Sequence, residues 1–163
     1  MNATAKLHAL GQSLWLDNIT RDLLDSGTLA RYIAERSITG LTANPTIFYH
    51  AFKGSDSYDA AIRSKLKAGK ADEALFLELA LDDVTRAADL FRPVYERTGG
   101  VDGFVSLEVS PLLARDAKST LAVTRDLHAR AGRPNLFIKI PGTPEGLPAI
   151  EEATFTGIPI NVT

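Results

Sequence analysis

The chain has 163 residues with 18 basic and 20 acidic side chains, a length that suits one domain with an apolar core and a charge balance without the basic stripe that nucleic-acid binding needs. It contains no cysteine, which removes disulfides and thiolate metal sites and fits a reducing cytoplasm. No apolar run approaches a membrane span, the opening MNATAKLHAL lacks the apolar core of a signal peptide, and His8, His50 and His128 show no metal-ligand spacing.

In chain order, short apolar runs alternate with amphipathic stretches. Leu14–Asn18 predicts a first strand and Thr28–Arg36 a helix. Gly40–Asn44 predicts a second strand. Ser55–Lys67 and the long Asp72–Thr98 have helical spacing, the latter with Leu75, Leu79, Val84, Ala87, Ala88 and Phe91 on one stripe. The interval from Pro45 to Thr98 is longer than one crossover needs, so an extra helix or two is expected there. Gly103–Val109 predicts a third strand, Ala117–Arg130 a helix stopped at Gly132, and Asn135–Ile140 a fourth strand. Glu145–Ala153 and Gly157–Thr163 complete the pattern as a helix and a fifth strand. Strands alternating with helices imply βαβ units, a parallel sheet and right-handed crossovers. No Gly-rich phosphate fingerprint follows the first strand, which favours a barrel over a nucleotide-binding open sheet.

The fourth strand reads LFIKI before Pro-Gly, with a lysine in an otherwise interior run, where lysine is costly to desolvate. Alternation puts Leu136, Ile138 and Ile140 on one face and Phe137 and Lys139 on the other. The same reading pairs Trp15 with Asp17, Thr42 with Asn44, Phe104 and Ser106 with Glu108, and Asn161 with Thr163. Five aliphatic sets thus face the helices, and five polar residues sit opposite them near strand C-termini. In a (β/α)₈ barrel that face points inward and its C-terminal rim is where catalysis is built. Asp17, Asn44, Glu108, Lys139 and Thr163 are expected to converge there.

Each has an ordinary reading: Asp17 as a helix cap, Asn44 as a turn former, Glu108 and Lys139 as a structural ion pair, Thr163 as a strand residue. Those readings must hold at five strand ends together, which weighs against them. Trp15 reads as interior packing rather than a ligand stacker.

A solvated lysine holds about one amine in 2,500 uncharged at pH 7. Apolar surroundings disfavour the ammonium, and a neutral amine can attack a carbonyl to form a Schiff base. A carboxylate held against the amine opposes this, so Glu108 is expected to stand off, with a water between. Breaking the adjacent carbon–carbon bond needs a proton acceptor and a shuttle, roles open to Asp17 and Glu108. No metal or other cofactor is called for.

The stretches LWLDNITRDLL (14–24), ITGLTANPTIF (38–48), VSLEVSP (105–111), LFIKIPGTPEGLPAIE (136–151) and PINVT (159–163) resemble the transaldolase family in its own order. The resemblance implies the N-terminal part of a single (β/α)₈ TIM-type barrel domain, residues 1–163 forming about its first five βα units. It implies transfer of a dihydroxyacetone unit from sedoheptulose 7-phosphate or fructose 6-phosphate to an aldose phosphate, within the pentose phosphate pathway. By the same resemblance Lys139 is the Schiff-base lysine and Asp17 the acid/base for the bond that breaks. Glu108 works through a water that Thr163 helps to hold, and Asn44 and Asn161 bind the dihydroxyacetone hydroxyls. Asn161 joins the set only through the resemblance.

The family continues through three more strands that supply a serine and arginines for the phosphate. The chain is therefore expected to be a truncated or partial form, with unpaired edges at its first and last strands. Expected partners are sugar phosphates and either further copies of itself or the missing part of the barrel, with neither nucleic acid nor membrane. Two alternatives stay open: a fructose 6-phosphate aldolase, in which the position of Glu108 resembles a glutamine, and a non-catalytic half-barrel module.

Overall fold

β-branched and apolar residues at every second position hide one strand face, and helical stripes supply the cover for it. The computed structural model describes residues 2–163. Its elements are α1 (Ala3–Ala9), β1 (Leu14–Asp17), α2 (Arg21–Asp25), α3 (Thr28–Arg36), β2 (Ile38–Ala43), α4 (Pro45–Gly54), a 3₁₀ turn at Asp56–Tyr58, α5 (Asp59–Lys67), α6 (Asp72–Arg97), β3 (Phe104–Glu108), a second, separate 3₁₀ turn at Pro111–Leu113, α7 (Ala117–Ala131), β4 (Leu136–Ile140), α8 (Leu147–Phe155) and β5 (Ile160–Val162).

The five strands form one parallel sheet in the order β1-β2-β3-β4-β5. A doubly wound sheet reverses its strand order at a switch point; this one does not. Winding in one sense with helices between successive strands is the (β/α)₈ barrel pattern, here through five units. Among the described residues β1 pairs only with β2 and β5 only with β4, so both are edges.

The outer face is the core. Leu41, Val105, Leu107, Val109, Leu136, Ile138 and Ile140 are all buried against α6 and α7, which present Val84, Ala87, Ala88, Phe91 and Leu127. The inner face holds aromatic rings at its base. Phe104 stacks on Phe137 with centroids 4.0 Å apart, and Trp15 lies 6.2 Å from Phe137. Trp15 and Phe137 stand on β1 and β4, about 14 Å apart in a flat sheet at ~4.8 Å per strand. Curling of the sheet brings their rings together, helped by the indole lying across Gly40, where an added Cβ would fall 2.4 Å from the ring. A register shift between Leu14 and Trp15 accompanies that crossing.

The segment between β2 and α6 carries the expected insertion, as α4, the first 3₁₀ turn and α5. Two short helices, α1 and α2, are additional to the sequence reading. α8 begins at Leu147 rather than Glu145, because Thr143 to Gly146 form a turn and Pro148, lacking an N–H, sits in the first helical turn.

Candidate active site

Lys139 projects from the face of β4 opposite the fully buried Leu136, Ile138 and Ile140. The register sets Glu108 of β3 beside it on one side and Asn161 of β5 on the other. The amine Nζ is 3.2 Å from Glu108 Oε2, and each side chain is 16% exposed. Neither member of the pair is fully buried. The stand-off expected between carboxylate and amine is absent. Neighbouring parallel strands hold in-register side chains ~5 Å apart, and two long, flexible, oppositely charged groups close that interval.

Asn161 completes the row. Its Nδ2 donates to Ser106 Oγ at 3.0 Å, reaching past β4 to β3. Ser106 is fully buried. The sequence places Ser106 on the inner face but carries no sign of this bond, since its partners are 55 residues apart.

Asn44 lies just past β2 and caps α4: its side-chain oxygen accepts from the Ile47 N–H at 2.9 Å, with Pro45 at the first helical position. The cap uses the carbonyl end of the carboxamide and leaves the NH₂ end for other partners. Asp17 is exposed at the tip of β1, in register with Thr42, whose own partner on β3 is Ser106. Thr163 is exposed beyond β5, where its N–H donates to Ile140 O and its carbonyl accepts from Gly142 N–H. Glu108, Lys139 and Asn161 are therefore neighbours, while Asp17, Asn44 and Thr163 occupy C-terminal strand ends on the same rim without a hydrogen bond or ion pair to Lys139 among the described residues.

A groove of about 290 Å³ opens on another side of Glu108, walled by Pro45, Phe76, Leu77, Pro111 and Leu112. The carboxylate consequently has the amine on one side and an accessible, largely apolar space on another. Among the described residues no three histidine, aspartate or glutamate side chains gather as a metal ion would require. No helix there is long and apolar enough to cross a membrane.

The segment that follows Asp17 is pinned by a cluster the sequence does not reveal. Arg21 Nε and Nη2 donate to Asp83 Oδ1 at 3.0 and 2.8 Å, and Tyr58 OH donates to Asp83 Oδ2 at 2.8 Å. The Arg21 guanidinium also lies over the Tyr58 ring. Burial, then the charge of Asp83, pushes the Tyr58 hydroxyl well above its ordinary value. Burial pushes the Asp83 carboxyl up against the hydrogen bonds from Tyr58 and Arg21. The cluster ties the start of α2, four residues after Asp17, to the middle of α6.

Comparison with known proteins covers the same span. A family model described as Transaldolase/Fructose-6-phosphate aldolase matches residues 14–163. A transaldolase of Trichodesmium erythraeum (strain IMS101) is 44% identical over 162 residues, 99% of this chain and 43% of that protein. A transaldolase of Thiobacillus denitrificans (strain ATCC 25259 / T1) is 48% identical over 164 residues, 100% of this chain and 45% of that protein. One of Thermobifida fusca (strain YX) is 49% identical over 158 residues, 97% and 43% respectively. The chain spans less than half the length of these curated relatives.

Proposed function

The chain belongs to the transaldolase/fructose-6-phosphate aldolase family, and from that premise we propose that it carries the Schiff-base half of a transaldolase active site, transferring a dihydroxyacetone unit between sugar phosphates. The observation that carries this reading is the row Glu108–Lys139–Asn161, with the amine 3.2 Å from a carboxylate on the inward face of the sheet.

In the proposed reaction, Lys139 Nζ passes a proton to Glu108, directly or through a water held with Thr163, and attacks the C2 carbonyl of the donor ketose. Glu108 returns that proton to the alkoxide, then carries a second proton from the nitrogen to the carbinolamine oxygen, which leaves as water, and a protonated imine remains. Asp17 takes the proton of the C4 hydroxyl as the C3–C4 electron pair moves towards the imine nitrogen. The aldose product departs and an enamine stays on the lysine. Its carbon then attacks the carbonyl of an acceptor aldose phosphate, whose oxygen recovers the proton from Asp17, and water releases the new ketose. Asn44 and Asn161 hold the hydroxyls of the three-carbon unit. All of this proceeds between protonatable side chains, and the cysteine-free composition fits a cytoplasmic setting.

Transfer is favoured over simple cleavage by the glutamate at 108 and by relatives named as transaldolases. The test is incubation with fructose 6-phosphate and borohydride, followed by peptide mass spectrometry. A reduced adduct on Lys139 is expected, absent in Lys139→Arg and formed roughly 10²–10⁴-fold more slowly in Glu108→Gln. A folded protein without adduct defeats the proposal and leaves the half-barrel module. Product analysis with and without an acceptor aldehyde separates transfer from cleavage.

A further inference from the structure

We propose that Ser106 is a positioning residue: through Asn161 it sets how the site distinguishes a ketone donor that carries a second hydroxyl from one that lacks it. This inference rests on the Schiff-base reading of Lys139.

Asn161 stands on β5, an edge strand of three residues with one neighbouring strand among the described residues, and is itself half-buried. Its backbone alone holds the carboxamide loosely, because two side-chain torsions remain free. The bond to Ser106 removes that freedom. Ser106 belongs to a central strand paired on both sides, and it is fully buried. The hydrogen bond runs past β4, where Asn161 is in register with Lys139 and Ser106 with Phe137, so the anchored amide belongs to the residue paired with the lysine.

A buried hydroxyl meets little competition from water, which makes loss of its partner costly and the geometry well defined. The stacked Phe104 and Phe137 rings flank Ser106 on its own strand and on β4. With one N–H committed to Ser106, the remaining N–H and the carbonyl oxygen of Asn161 are left to meet a ligand hydroxyl beside Lys139. Rotation of the amide would misalign both. Ser106 therefore acts on recognition without touching the ketone.

The test uses two small ketones that need no phosphate contacts, dihydroxyacetone and hydroxyacetone. Adducts are trapped with borohydride across a range of ketone concentrations and quantified by mass spectrometry. The readout is the ratio of half-saturating concentrations, hydroxyacetone over dihydroxyacetone. Wild type is expected to favour dihydroxyacetone. Ser106→Ala lowers the ratio by about tenfold, the loss expected of one well-placed hydrogen bond, acting on half-saturation rather than on the extent at saturation. Asn161→Ala lowers it equally, and the double variant goes no lower, because the two residues act as one unit. Ser106→Cys keeps the volume but offers only a weak partner, and it is expected to follow Ser106→Ala.

A wild-type ratio in Ser106→Ala and Ser106→Cys, or effects of Ser106→Ala and Asn161→Ala that multiply, overturns the positioning role while leaving the Schiff base intact. The role is likewise overturned if wild type forms the adduct with no preference between the ketones. Absence of any adduct in folded wild type overturns the Schiff-base reading, and this inference falls with it.

Discussion

At Asn44 the two ends of one carboxamide face different tasks. The oxygen is spent on the Ile47 N–H at the start of α4, and only the NH₂ end remains to serve a substrate hydroxyl. Asn44→Asp keeps the cap and removes the donor, so its melting temperature should stay near wild type while half-maximal adduct formation with dihydroxyacetone moves to higher concentration. Asn44→Ala should show the same binding loss and also cost about 1 kcal/mol of stability, the usual value of such a cap. Thermal melts and ketone titrations of the two variants check this, and equal melting temperatures would refute the division of labour. At this scale Lys139 was legible because a charge in an apolar run contradicts its surroundings. The contact with Glu108 stood only as an alternative to a water-separated stand-off, and the sequence could not decide between them, because that depends on which residue of a strand 31 positions away stands alongside.

Helices read well from the sequence where their stripe was long. The apolar face of α6 is visible in its spacing and buries Ala80, Val84, Ala87, Ala88 and Phe91 against the sheet. α1 and α2 have seven and five residues, too few for periodicity to rise above chance; side-chain caps at Asn2 and Thr20 mark their starts, and α2 also buries Leu24 and bonds to α6 through Arg21. On its outer side α6 joins α5 and α7 through Glu78, which faces Lys65 at 3.5 Å, Lys70 at 3.5 Å and Arg130. Burial pushes this carboxyl up, yet Arg130, Lys70 and Lys65 outweigh it and hold the group below its ordinary 4.5. A carboxyl depressed in the folded state stabilises fully above its unfolded value and loses that contribution as pH falls through the folded one. Glu78→Gln should therefore melt lower than wild type at pH 7, with the gap narrowing as pH drops below about 4.5. Thermal melts across pH 3–7 decide it; a gap independent of pH would assign the loss to packing.

At the scale of the whole molecule, the segment after β1 is locked to the helical layer by the buried cluster of Arg21, Tyr58 and Asp83. It joins three segments within one hydrogen-bonded unit: the chain after β1, the first 3₁₀ turn and α6. Asp83 is fully buried and the Arg21 side chain is 12% exposed, so removing the guanidinium strands a carboxylate in the interior. Arg21→Ala should cost about 3–5 kcal/mol, measured by urea unfolding. It should also disturb Asp17, which lies just before the pinned segment. A loss under 1 kcal/mol would mean that the cluster is solvated, contrary to its burial.

The sequence by itself determined the alternation of strands and helices, which side of each strand is apolar, and hence that Asp17, Glu108, Lys139 and Asn161 share the inner face. These follow from periods of two and 3.6 residues, properties of the local backbone. Tertiary structure alone decided that Glu108 touches Lys139, that Ser106 holds Asn161 and that Trp15 folds over Gly40. Such contacts depend on strand register and sheet curvature, and these are set by packing between residues far apart in the chain, which no local pattern records.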